Sequence, residues 1–169
     1  MSRPDLSRVP NWYHGYIEET IGDDLLALME EQLGSFLAFT REIPADKYDH
    51  RYAEGKWSIK DLLQHIIDAE RIIAYRALRF ARKDSTPLPG FEENDYAVSA
   101  KAERRSWSDL VVEFKQLRNS NLLMFRAFDS EELEREGIAN GQPVYVLALG
   151  YIMVGHIDHH LKIIRERYL

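Results

Sequence analysis

Two histidines four residues apart, His156 and His160, are the side chains whose type and spacing point most directly to chemistry. On a helix, positions i and i+4 place their β-carbons roughly 6 Å apart. Two imidazoles so spaced can reach one metal ion at the nitrogen–zinc distance of about 2.0–2.1 Å. A third imidazole from a packed neighbour, His65, completes a three-histidine face. Three protein ligands leave coordination positions open, which is how catalytic zinc, unlike structural zinc, is held. Neutral nitrogen donors suit zinc, nickel, copper or ferrous iron and do not suit magnesium or calcium. The same pattern also has a plainer reading, in which His156 and His160 are hydrogen-bonded core residues and His65 is structural.

Other metal chemistries fail on inspection. Carboxylate-bridged di-metal bundles use Glu-x-x-His pairs. The residues three positions before the six histidines are Asn11, Lys47, Leu62, Met153, His156 and Ile157, and none is a glutamate. The His-Glu-x-x-His pattern of zinc proteases is also absent. The chain has no cysteine, which excludes disulfides, thiolate ligands and a cysteine nucleophile.

Four helical segments must position these residues. Ile21, Leu25, Leu28, Met29, Leu33 and Phe36 recur at spacings of three and four, predicting a first helix from about Thr20 to Arg41. Ser58 and Asp61 form a capping pattern that opens a second helix, which runs to about Lys83. Ser106 and Asp109 repeat the pattern for a third, ending near Phe128. A fourth starts at Pro143 or Val144, where proline suits a first helical position, and runs to Arg167. Residues 1–17 form a tail whose Trp12, Tyr13 and Tyr16 lie on the body. A short hairpin with Asn140-Gly141 as its turn fits within Glu136 to Val146. The connections are long, and long loops in a compact bundle are often functional. The expected architecture is all-α, a single four-helix-bundle domain over residues 1–169.

At about 100° per residue, each helix turns a polar side chain inward. His156 and His160 fall in the middle of the apolar arc of the fourth helix, with His159 at its edge, and His65 flanks the arc of the second. Gln32 lies among Leu25, Met29 and Phe36, and Arg118 and Asn121 among Phe114, Leu117 and Phe125. A buried polar group without a partner costs about 1–3 kcal/mol, so these groups are expected to gather round one polar cavity. Gln32, Arg118 and Asn121 are accordingly pocket candidates, with core hydrogen bonding as the alternative. Glu70, also inward, calls for an arginine partner.

The formal net charge of −6 and the absence of a basic block argue against a nucleic-acid partner. Arg79 to Lys83 and Lys101 to Arg105 read as solvated segments of mixed sign. No apolar run approaches the roughly 18 residues of a membrane span, and no secretory signal is visible. A cytoplasmic protein acting on a small molecule is expected.

The run GKWSIKDLLQHIID over residues 55–68, GHIDHHLKII over 155–164, and RALR over 76–79 with TPLPGF over 86–91 together resemble the DinB/YfiT-like superfamily of metalloenzymes, over most of the chain. The resemblance implies a four-helix bundle, often a homodimer, with a three-histidine site whose ligands carry over as His65, His156 and His160. It also implies zinc, nickel or iron as the metal. Some relatives are transferases or isomerases using low-molecular-weight thiols such as bacillithiol or mycothiol. The expected function is a metal-dependent S-transferase or small-molecule hydrolase, the alternative a non-catalytic, metal-stapled stress or binding protein. The fourth coordination position discriminates between them. Closure by a carboxylate such as Asp68 favours the staple, and an accessible pocket favours the enzyme.

Overall fold

The computed structural model describes residues 3–169; Met1 and Ser2, the start of the expected tail, lie outside the described residues. Among the described residues seven α-helices and one hairpin follow in order: α1 His14–Glu19, α2 Leu25–Glu42, α3 Ile59–Ala81, α4 Glu93–Ala100, α5 Trp107–Arg126, α6 Ser130–Glu134, β1 Glu136–Ala139, β2 Gln142–Tyr145 and α7 Val146–Arg167. Helices α2, α3, α5 and α7 form the bundle. Its ring order is α2–α5–α3–α7, so α2 and α3, consecutive in the bundle, face each other across the diagonal, as do α5 and α7. Long connections are what such crossings require, and they account for the lengths of the segments before α3 and before α7.

The caps set the helix starts. The Ser58 side chain accepts the Asp61 amide, and the Asp61 carboxylate accepts the Ser58 amide, a reciprocal pair that opens α3. Ser106 caps α5 through the Asp109 amide. The first predicted helix starts at Leu25 rather than about Thr20, behind a break that separates it from the short α1, most of which lies in the expected tail. Arg3 donates to the carbonyls of Ile17, Thr20 and Gly22, Gly22 takes a φ of +138°, and Asp24 restarts the chain by accepting the amides of Leu26 and Ala27. Ile21, placed on the apolar stripe by its spacing, lies in this break and is 91% exposed.

The fourth bundle helix begins at Val146, later than the sequence predicts. Pro143 sits instead in β2, opposite Ile138, and in a two-stranded ribbon its missing N–H leaves no central ladder bond unmade. Asn140 and Gly141 turn the hairpin with φ of 52° and 74°, the positive values a two-residue type I′ turn needs. The Val146 amide, left open at the start of α7, donates to the Arg135 carbonyl at 3.0 Å. Leu88 bonds the hairpin through Ile138 and Asn140, which ties the loop after α3 to it.

Two apolar clusters fill the bundle. One gathers Leu25, Met29, Phe80, Phe125 and Ile152, the other Phe36, Ile59, Phe114, Ile157 and Ile164. Polar residues separate them along every bundle helix: Gln32 on α2, His65 and Glu70 on α3, Arg118 and Asn121 on α5, and His156 and His160 on α7. All seven are buried. Among the described residues no helix is long and apolar enough to cross a membrane.

Candidate metal centre

His65 comes from the second turn of α3, and His156 and His160 from successive turns of the adjoining α7. The His156 Nε2 lies 3.0 Å from the Nε2 of His65 and 3.0 Å from that of His160. All three imidazoles are 8% exposed. Among the described residues these three histidines form the group able to hold an ion, and no carboxylate joins them.

The donor set fits a metal. One imidazole nitrogen offers either one N–H or one lone pair, so the His156 Nε2 cannot make two full hydrogen bonds at once. A cation accepting three lone pairs removes that conflict. Nitrogens tetrahedrally disposed about zinc sit roughly 3.3 Å apart, given bonds of about 2.0–2.1 Å, close to the 3.0 Å contacts found. Desolvation lowers the His65 imidazole to about 4. Desolvation, with repulsion from His65 and His159, lowers His160 to about 3, and His156 moves well down for the same reasons. All three are therefore neutral near pH 7, the form that binds metal. The His160 Nδ1 is buried without a partner, whereas ligating histidines usually donate their second nitrogen.

The imidazoles open onto a cavity of about 300 Å³, whose wall includes Tyr13, Tyr16, Trp57, Ala69, Ile73, Arg76, Phe91, Glu93 and Asn94. The Trp57 ring lies 4.8 Å from that of His65, and Tyr16 meets His156 edge-on at 5.6 Å. A second cavity, of about 270 Å³, adjoins the other side of His160 and shares Trp57 and Asn94. Trp57, Tyr13 and Tyr16 therefore line space as well as pack. Asp68 faces away from the histidine cavity and accepts Gln64 at 3.0 Å.

Gln32, Arg118 and Asn121 do not line this cavity. Arg118 and Asn121 meet at Glu70, which receives Arg118 bidentately at 2.8 Å through Nε and Nη2 and Asn121 at 3.0 Å. Arg118 Nη1 donates to the Gln32 carbonyl at 2.9 Å. The Gln32 amide donates onward to the Val154 carbonyl and Asp158, both at 2.7 Å. The inward polar residues thus form two assemblies, one lining the histidine cavity and one built round the buried Glu70–Arg118 pair. The wheel could not separate them, because it gives the direction of a side chain but not its neighbour. His14 bonds the Val9 carbonyl, His159 packs on Tyr16, and His50 lies beside Tyr168.

Sequence reasoning missed Arg76. The signal was present: positions 65, 69, 73 and 76 advance by four, four and three, so they share one strip of α3.

No protein of curated function matches the chain. Among solved structures, YfiT from Bacillus subtilis, described as a probable metal-dependent hydrolase with an unusual four-helix bundle topology, is similar with a TM-score of 0.76. The match covers 88% of each chain at 14% identity, a likeness of fold. The crossed ring order found here agrees with a bundle of unusual topology. The sequence profile of the DinB superfamily matches residues 28–164, a span that holds all three converging histidines and the helices that bring them together, and the chain belongs to that superfamily.

Proposed function

We propose that this protein is a metal-dependent enzyme acting on a small molecule, either transferring a low-molecular-weight thiol to an electrophile or hydrolysing its substrate. The observation that carries the reading is the convergence of three neutral imidazoles on a cavity, with no carboxylate to complete their ligand set. His65, His156 and His160 would hold one zinc, nickel or iron ion. When bound, such an ion acts as a Lewis acid that lowers the pKa of a water or thiol at its open position.

The chain's own residues supply the rest. Burial keeps the three ring nitrogens unprotonated at neutral pH. Trp57 shields the His65 side, and Ala69 and Ile73 give the cavity an apolar floor for the body of a substrate. Tyr16 stands against His156 with its hydroxyl held protonated by desolvation, so the wall presents a donor there.

Elemental analysis of protein purified without chelators should find one transition metal ion per chain, strongly reduced in His65→Ala and His160→Ala. Metal-loaded protein should turn over a thiol with an alkylating electrophile, or a small ester, at rates that His160→Ala loses. Full metal content with wild-type and variant rates both at background would favour a stapling metal instead.

A further inference from the structure

Among the described residues two arginines are buried, and one of them is paired with a carboxylate. Arg118, 0% exposed, spends its donors on Glu70 and Gln32. Arg76 is 3% exposed. Its one hydrogen bond runs from Nη2 to the Pro89 carbonyl at 2.8 Å. Among the described residues no carboxylate lies within ion-pairing distance of it, and no aromatic ring stacks on it. Its Nε and Nη1 are not among the sealed, unpartnered atoms, and Arg76 is one of the residues that line the cavity.

A buried guanidinium lacking a counter-charge is unfavourable unless something supplies one. The cavity offers the place. His65, Ala69, Ile73 and Arg76 form one strip of α3, with the two polar residues at its ends about 16 Å apart along the axis. Helical side chains lean towards the N-terminus, so the long Arg76 side chain leans back towards His65 and shortens that gap. The floor between them is apolar. Glu93, the carboxylate in the wall, is exposed and not paired with Arg76.

We infer that Arg76 is an anion-recognition residue, and that the ligand of this cavity is a small organic molecule carrying a carboxylate or phosphate at the end away from the histidines. The planar fork of a guanidinium matches two oxygens of either group. The inference rests on the proposed function only for what the other end of the ligand meets.

Hexanoate, hexyl phosphate and hexanamide share a chain and differ in head group. Their affinities are to be compared by nitrogen-15 NMR titration of the metal-free and the zinc-loaded protein. One of the two anions should bind at least tenfold more tightly than the amide in both forms, shifting amides over residues 69–76 and 88–91. The tighter of the two identifies the anionic group. Arg76→Gln should abolish the preference, and Arg76→Lys, which keeps the charge and a donor for Pro89, should retain part of it. Zinc content should be unchanged in both variants. Neither anion binding more tightly than the amide in the wild type, or a preference that survives in Arg76→Gln, would overturn the inference. Failure of the wild type to bind zinc, with the preference intact in metal-free protein, would overturn the metal reading and sustain this one.

Discussion

The Glu70–Arg118 pair is sealed, with side chains 1% and 0% exposed, so removing one partner strands the other. Arg118→Met should lower stability by about 3–5 kcal/mol in urea denaturation. Adding Glu70→Leu should recover part of the loss, but not all, because Gln32 and Asn121 also lose partners. The histidines make a different prediction, for metal-free protein. Burial lowers His65 to about 4 and His160 to about 3 from the ordinary 6.5, so as pH falls the unfolded chain takes up these protons first. Stability should therefore rise with pH between about 3 and about 6.5 and level off above that. Replacing His65 with glutamine should flatten the slope of denaturation midpoint against pH. These residues differed in how far the sequence exposed them. His156 and His160 were legible because one-turn spacing has a direct geometric meaning. The role of Arg76 was not, because an arginine on a helix flank reads as solvated until its surroundings show that nothing pairs with it.

Helix α1 is held against α7 by an approach only glycine permits. A β-carbon on Gly155 would sit 2.0 Å from the Tyr16 carbonyl oxygen, a backbone atom that cannot swing aside. Gly155→Ala should therefore lift α1, speed amide exchange over residues 13–19, and destabilise by about 1–3 kcal/mol. Because Tyr13 and Tyr16 wall the cavity, anion affinity should fall with it. That packing was invisible in the sequence, where Gly155 is one more small residue before a histidine. The capped starts of α3 and α5 were plain, since Ser58 and Ser106 satisfy specific amides, whereas the Asn140-Gly141 turn was only suggested, because the strand that follows it overlaps a stretch that also reads as the start of the last helix. The break at residues 20–24 was hidden by periodicity, as Ile21 fits the stripe by spacing alone. The Gly22-Asp23-Asp24 run was the countersignal. Pro143 was ambiguous, suiting a helix start and a ribbon strand equally.

For the molecule as a whole, an ion joining α3 to α7 should bind the folded state and not the unfolded one. At a free zinc concentration of 100 times Kd, unfolding free energy should rise by about 2.7 kcal/mol, and calorimetry on His160→Ala should show no such rise. The pairing of α3 with α7 was legible in the sequence through the histidines, since His65 can join His156 and His160 only if the two helices are packed neighbours; the diagonal placing of α2 and α3 was not, because a wheel gives each helix's inward face and not the order of helices round the bundle. The diagonal wiring has a consequence for biogenesis. His65 and His156 are separated by 91 positions, so a nascent polypeptide that has emerged through α5 owns a single imidazole of the three. Until α7 leaves the ribosome and docks, the chain cannot present the three imidazoles together, so the ion proposed for this site would enter only once the helices of the bundle have been made.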